Sequence, residues 1–405
     1  MNTANSINSM TPITPIDTAV LTDRLFAGAV QIFSEQSLRE RLQSGRRLTV
    51  KLGADPSRPD LHLGHSVVLR KLKLFQKLGH RVVFVVGDFT AMIGDPTGRS
   101  RTRPALTLEE ARAGGESYFR QVSKILDPAK TEVVYNSAWL KKLNFHDVID
   151  LCSKYTVARL LERDDFKNRL VQHTPVGLHE LLYPLMQGYD SVALRAAVEV
   201  GGTDQTFNLL VGRALQAAYG QPPQEVITFP LLVGLDGREK MSKSLDNYIG
   251  LDEPADIMFE KAMRVPDEIL SDYFALTTDT PASEAAALIQ TDIRAAHLHY
   301  AFTITEMYHS RPAAEHAQQR YLSVAAGGAP ETLSEYIVAE NELPLAALLR
   351  RAGFAASGAE ARRLIAGRGV KINGETVAEP AAVVKTDMPF VLQCGKNRFV
   401  RIIGK

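Results

Sequence analysis

Cysteine is nearly missing from this 405-residue chain, with only Cys152 and Cys394 in unrelated contexts. Thiols so far apart provide neither a disulfide framework nor a four-ligand zinc site, and they fit a reducing cytoplasm. Net charge is as scarce, since 47 Lys and Arg face 46 Asp and Glu for a formal charge of +1. That balance excludes a molecule basic all over, so contact with nucleic acid has to come from local clustering of Lys and Arg. No segment reaches the apolar length needed to span a bilayer. The patterns GxxxxGK[ST] and GxGxxG are missing too, which removes the main support for kinase-like, GTPase-like and dinucleotide-oxidoreductase readings. What is present is 45% hydrophobic content, enough to bury a large core shared among two or three domains. The first twenty or so residues are rich in Thr, Ser, Asn and Pro without Lys or Arg, and a loose arm is expected over residues 1–22.

Residues 47–53 (RLTVKLG) read as a strand, broken by the turn chemistry of Asp55-Pro56-Ser57. Leu69, Leu72, Leu74, Phe75 and Leu78 then form the apolar stripe of a helix ending near Gly79, and residues 81–86 (RVVFVV) read as a strand buried on both faces. Strand, turn, helix, strand is the opening of a parallel α/β sheet, in which ligands bind at the carboxyl ends of strands. Patterning is mostly helical from about residue 106 to 200, whereas residues 224–233 (QEVITFPLLV) return to strand character before the Gly234-Leu235-Asp236-Gly237 turn. The expectation is an α/β domain over residues 23–250 with a helical insertion at about 106–200. A helical domain over 251–335 and a small unit over 341–405 follow. That last unit holds eleven Lys and Arg against five Asp and Glu, so the positive charge is concentrated at one end.

His62-Leu63-Gly64-His65 falls where the first strand turns into its helix, and there free N–H groups and the helix dipole favour an anion. Gly64 lets a nucleotide lie close to the backbone, and imidazoles on one turn can donate to phosphate oxygens. Far along the chain, Lys240-Met241-Ser242-Lys243-Ser244 follows a strand and a Gly-containing turn, where a loop can bring ammonium groups over a polyphosphate. A solvated basic loop is the ordinary fate of such a run. This pentapeptide arises by chance in well under about 0.1% of chains, however, and its coincidence with the His turn favours one shared nucleotide site. HLGH resembles the HIGH signature, and KMSKS is identical to the second signature, of the class I aminoacyl-tRNA synthetases, a family with a split nucleotide-binding α/β domain.

Asp88-Phe89-Thr90 and residues 93–98 (IGDPTG) follow the second strand, while Tyr183, Gln187 and Asp190 recur on one helical face. The pattern Y-x-x-x-Q-x-x-D, followed by Gly201-Gly202-Thr203-Asp204-Gln205, resembles the tyrosyl branch of that family, and the similarity extends over most of the chain from about Asp23 onward. The resemblance implies that Asp95, Tyr183 and Gln187 hold the ammonium group of tyrosine, that Asp190 accepts the phenolic O–H and that Gln205 lies nearby. It implies ATP contacts from Asp55, Ser57, His62, Gly64, His65, Gly202 and Asp204, and from Lys240, Met241, Ser242, Lys243 and Ser244. His62, His65, Lys240 and Lys243 carry the catalytic roles in that scheme. Many bacterial relatives have Tyr two residues before the Gly of the first strand, against the substrate phenol. Here Lys51 precedes Leu52-Gly53, as in a divergent second bacterial subtype, and the sequence does not say what shares the hydroxyl with Asp190.

Residues 345–377 give a helix, a break and a second helix with Arg362 and Arg363, then Val370-Lys371-Ile372-Asn373-Gly374, which resembles an S4 RNA-binding domain. Arg362, Arg363 and Lys371 would meet RNA backbone without a strong sequence code. The fold class expected is a Rossmann-like parallel sheet split by a helical insertion, then an α-helical anticodon-binding domain and a small α+β S4 domain. The resemblance implies ATP brought with Mg²⁺, no tightly bound protein metal, tyrosine and tRNA(Tyr) as partners, a cytoplasmic setting and a homodimer formed through the insertion. A tryptophanyl enzyme of the same fold, a small-molecule nucleotidylyl transferase and a noncatalytic RNA-binding paralogue are the rival readings. Residues 98–104 (GRSRTRP) read either as a mobile lid or as a basic surface turn.

Overall fold

The computed structural model describes residues 15–56, 61–97, 106–326, 333–395 and 398–404. They divide into one compact unit that runs to Glu253 and resumes over Arg264–His297, and a second of Pro254–Met263 with the chain from Leu298 onward.

The first unit is built on a six-stranded sheet of β1 (Gln31–Phe33), β2 (Thr49–Ala54), β3 (Arg81–Val86), β4 (Thr131–Tyr135), β5 (Val198–Gly202) and β6 (Glu225–Phe229). Its order is β1-β6-β5-β2-β3-β4, parallel throughout except for β1, which runs antiparallel to β6. Val82 to Val86 are all buried, as the apolar run predicts for a central strand covered on both faces. From β2 the chain steps outward through β3 to β4, and from β5 it steps the other way to β6. The order therefore reverses between β2 and β5, the place where open parallel sheets bind ligands.

Helices α1 (Pro15–Phe26) and α2 (Glu35–Gln43) precede β2, and α3 (Leu63–Lys77) joins β2 to β3. The stripe read from the sequence is what α3 buries: Leu69, Leu72 and Phe75 are at most 1% exposed. Helix α4 (Leu108–Val122) starts at a capping box in which the Thr107 hydroxyl accepts from the Glu110 N–H and the Glu110 carboxylate accepts from that of Thr107. Between β4 and β5 lie α5 (Ser137–Leu140), α6 (Phe145–Ser153), α7 (Val157–Leu160), α8 (Asp164–Val171) and α9 (Leu178–Leu194), and α10 (Thr206–Ala218) joins β5 to β6.

Some boundaries need correction. Residues 15–22, expected in the loose arm, lie in α1, whose Leu25 is fully buried; residues 1–14 fall outside the described residues. The helical insertion begins near residue 137 and not 106, because β4 completes the sheet beside β3. A five-residue strand between helices gave too short a period-2 pattern to stand out.

Beyond the first unit's sheet come α11 (Ala255–Ala262), α12 (Leu270–Thr277), α13 (Ala282–Thr291), α14 (Ile293–Tyr308) and α15 (Arg311–Ala325). The helical domain expected over 251–335 is thus divided, since α12 and α13 belong to the first unit, while α11 and α15 pair in the second through Asp256 and Arg320 at 2.6 Å. The C-terminal part adds β7 (Glu335–Val338), β8 (Glu342–Pro344), α16 (Leu345–Arg351), α17 (Gly358–Ala366), β9 (Val370–Ile372), β10 (Glu375–Val377), β11 (Val383–Lys385), β12 (Phe390–Cys394) and β13 (Arg398–Gly404). Its five-stranded sheet, ordered β10-β9-β12-β13-β7, packs on Leu348, Leu349 and Ile365 of the helices. Because β7 pairs with β13, this unit starts near residue 335, earlier than the 341 expected. The β9–β10 hairpin turns on Asn373 and Gly374, both with positive φ, which is the Asn-Gly chemistry of a two-residue turn.

Candidate active site

A cavity of about 620 Å³ opens at the carboxyl ends of β2, β3 and β5, on the line where the strand order reverses. Every expected ATP and tyrosine residue lines it except Ser57, which lies outside the described residues, as does the 98–104 loop. Residues more than a hundred positions apart meet there, from strands, from the turns after them and from α9, which precedes β5 in the chain.

On one side, β2 hands over to α3 at His62, the N-cap residue. The His62 N–H donates to His65 Nδ1 at 3.2 Å, and the rings lie 4.0 Å apart. Since His65 Nδ1 accepts, its proton resides on Nε2, which is left to donate. Burial pushes the His62 imidazole down to about 2, with His65, Lys243 and Lys240 adding repulsion. Burial likewise takes His65 down to about 4. Both rings are neutral donors at physiological pH. His62 Nδ1 is buried without a hydrogen-bond partner among the described residues.

The KMSKS loop closes this side. Met241 is buried and its N–H donates to Leu232 O, while Asn247 accepts from the Ser242 N–H at 2.7 Å. These anchors leave the polar side chains outward. Lys240 pairs with Asp204 at 3.2 Å, and Lys243 Nζ lies 5.5 Å from the centre of the Tyr248 ring. Cationic and neutral donors therefore face Gly64 and Gly202 across the cavity.

On the other side α9 presents Tyr183, Gln187 and Asp190. Tyr183 Oη donates to Asp55 Oδ2 at 2.9 Å, and Thr90 Oγ1 donates to Asp55 Oδ1 at 2.7 Å. A Cβ at position 87 would stand 2.0 Å from Asp55 Oδ1, so any larger residue there would displace the Asp55 and Thr90 side chains. Asp95 accepts from the Thr97 N–H and hydroxyl and from Gln205 Nε2 at 3.0 Å. Gln187 Oε1 is buried with no hydrogen-bond partner among the described residues.

Asp190 lies deepest, at 3% exposure. Trp139 Nε1 donates to its Oδ1 at 2.8 Å and Asn136 Nδ2 to its Oδ2 at 3.4 Å. Burial pushes this carboxyl up to about 7, against the pull of Lys51 and of the Trp139 and Asn136 hydrogen bonds. Asp88, read from the sequence only as part of a strand-end motif, accepts from the Ser137 N–H and hydroxyl and so pins the start of α5, which carries Trp139.

Sequence reading missed Trp139, Asn136, Thr90 and Glu199. The single Trp of the chain is the signal that was available for one of them, because a buried indole N–H needs an acceptor. Lys51 is 1% exposed; its ammonium forms an ion pair with Glu199 Oε1 at 3.1 Å and donates to Gln187 O at 3.1 Å.

In the C-terminal unit, Arg362 and Arg363 are exposed on α17 and Lys371 is half-buried on β9. Arg350, Arg351 and Arg368 are exposed nearby in sequence.

Comparison with known proteins bears on both units. The family described as tRNA synthetases class I (W and Y) matches residues 43–324, and the S4 domain family matches residues 343–388. A tyrosine–tRNA ligase of Deinococcus radiodurans is 51% identical over 387 residues, covering 93% of this chain and 94% of the relative. One of Bdellovibrio bacteriovorus is 50% identical over 382 residues, 91% and 94% of the two chains. Among solved structures, a C-terminally truncated mitochondrial tyrosyl-tRNA synthetase of Aspergillus nidulans shares the fold at a TM-score of 0.64 and 22% identity, over 76% of this chain and 94% of that one. A tyrosyl-tRNA synthetase of Archaeoglobus fulgidus, solved with L-tyrosine, does so at 0.60 and 19%, over 75% and 100%.

Proposed function

The chain belongs to the class I tRNA synthetases of the W and Y type and carries a C-terminal S4 domain, and from that premise we propose how its residues divide the work. The reaction is the ligation of tyrosine to tRNA at the expense of ATP. Tyrosine lies along α9 with its phenol at Asp190 and its ammonium among Asp95, Tyr183 Oη and Gln187 Oε1, an acceptor for each N–H. The observation that carries this placement is the buried, partnerless Gln187 Oε1 in the same cavity as an Asp95 carboxylate already steadied by Gln205. Asp190 offers the hydroxyl an acceptor that phenylalanine would leave unpaired, the discrimination for which the tyrosyl enzyme is the standard example. ATP takes the side lined by His62, Gly64 and His65, with its ribose on Asp204 and Gly202, and Mg²⁺ arriving on its phosphates as part of the substrate.

Tyrosine enters with its carboxylate ionised, so the first step needs no general base. Alignment on the α-phosphorus and stabilisation of charge do the work. Neutral His62 and His65 donate to phosphate oxygens, and Lys240 and Lys243 balance the charge that grows as pyrophosphate leaves. A ribose hydroxyl at the 3′ end of tRNA(Tyr) then attacks the carbonyl carbon of the adenylate, forming the ester as the acyl–phosphate bond breaks, AMP leaves and the hydroxyl proton is lost. Arg362, Arg363 and Lys371 hold the tRNA backbone. Phe145, Val157, Val171 and Leu178 are each at least 59% exposed in the insertion, apolar side chains that a homodimer formed there would cover; a monomer's mass by light scattering would contradict it. No helix among the described residues is long and apolar enough to cross a membrane, and the free Cys152 and Cys394 suit the cytoplasm.

The test is Lys243→Ala in single-turnover adenylate formation. The expected result is a loss of about a hundredfold or more in rate with tyrosine affinity nearly unchanged, and equal rates would sink the assignment.

A further inference from the structure

Lys51 and Glu199 are direct partners across β2 and β5, the strands that flank the reversal point. Both side chains are 1% exposed, and both are engaged with α9. Lys51 Nζ donates to Gln187 O at 3.1 Å, and Ser191 Oγ donates to Glu199 Oε2 at 3.1 Å. A buried ion pair alone is weak support for a function, because hydrophobic residues of similar volume often replace one without loss. This pair has a third member. Gln187 and Ser191 stand on either side of Asp190 on α9, so the two contacts bracket its turn of helix, and there Lys51 draws the Asp190 carboxyl down while Glu199 pushes it up. Glu199 has donors of its own, since Ser191 Oγ and Gln224 Nε2 both bond its Oε2.

We propose that Lys51, held across the sheet by Glu199, is the positioning residue that gives the site its preference for an aromatic hydroxyl. Its ammonium stabilises the Asp190 carboxylate that accepts the phenolic O–H, and its bond to Gln187 O keeps that stretch of α9 in place. The proposal rests on the reading that tyrosine binds with its phenol at Asp190. It assigns to Lys51 an indirect role exercised through Asp190, in a position where the side chain touches no substrate atom. The groups facing Asp190 are Lys51 from β2, Glu199 from β5, and the neutral donors Trp139 and Asn136 at the start of α5. Asp190 already sits near neutrality, and below that range it is a proton-bearing group that no longer draws a phenol hydrogen with full strength. Removing Lys51 moves the transition to higher pH. Removing the Glu199 charge while keeping Lys51 moves it lower.

The experiment is tyrosine-dependent ATP–pyrophosphate exchange by the full chain between pH 5.5 and 9, with phenylalanine in parallel. Lys51→Met/Glu199→Gln removes both charges and leaves no orphaned ion, and Glu199→Gln is the second variant. The double variant is expected to raise the acid limb of kcat/KM for tyrosine by roughly one pH unit, costing about tenfold at pH 6.5 and recovering by pH 9. The loss falls on KM, with kcat and phenylalanine exchange little changed. Glu199→Gln alone shifts the limb the opposite way, which a merely structural pair would not do. Limbs that coincide with the parent's in both folded variants, or shifts of the same sign, overturn the proposal. Asp190→Asn separates the failures: if it abolishes the preference for tyrosine while the pair variants leave the limb in place, only the role of Lys51 falls. If Asp190→Asn leaves tyrosine exchange intact, the placement of the phenol falls with it.

Discussion

Asp190, proposed as the acceptor of the substrate hydroxyl, would hold that role at a cost in stability. Its carboxyl is raised to about 7 in the folded protein, mainly by burial, from an ordinary value near 3.8. The sign follows directly. The folded state binds this proton more tightly than the unfolded chain does, so the residue costs nothing at low pH. Its cost grows as pH rises above about 4 and is complete above about 7. Asp190→Asn is therefore expected to stabilise the protein at pH 8.5 by roughly 2–4 kcal/mol, an advantage that fades by pH 4. Urea unfolding at both pH values checks it, and a variant less stable than its parent at pH 8.5 would show that the hydrogen bonds from Trp139 and Asn136 outweigh burial. His62 and His65 behave in the reverse sense. Both are depressed, so the protonation that the unfolded chain welcomes below about 6.5 is refused by the folded one, and stability declines with acidity there.

At the scale of elements, the legible parts were those with strong local signals. The β2–α3–β3 unit was readable because an apolar run, a turn and a 3.6-residue stripe follow each other within forty or so residues. The Asn373-Gly374 hairpin was readable because its residue types are what positive φ demands. Helix α9 was readable as a face, since Tyr183, Gln187 and Asp190 share it, and all three line the cavity. What stayed hidden depends on pairing between distant segments. Nothing local says that Lys51 stands opposite Glu199, because that register is set by the whole sheet. Nor does TEVVY announce β4, whose identity comes from lying beside β3. The junction of α5 was equally silent, since Trp139 reaches Asp190 only because Asp88, at the end of another strand, holds Ser137.

At the scale of the whole molecule, one chain carries a nucleotide-binding sheet and a basic S4 domain, and the formal charge of +1 conceals the difference between them. If Arg362, Arg363 and Lys371 meet the tRNA backbone as proposed, tRNA binding is expected to depend on salt. Replacing Arg362, Arg363 and Lys371 with Ala should weaken tRNA affinity at least tenfold and flatten its salt dependence by about three contacts, with adenylate formation untouched. An unaltered salt slope in a filter-binding titration would move the tRNA contact elsewhere. In the cavity between β2 and β5, Asp190 is proposed to read the hydroxyl of the amino acid. The most direct measurement is ATP–pyrophosphate exchange with tyrosine and with phenylalanine, in the parent and in Asp190→Asn. A strong preference for tyrosine in the parent is expected to collapse in the variant; an Asp190→Asn protein that still selects tyrosine as sharply would remove Asp190 from the recognition of the hydroxyl.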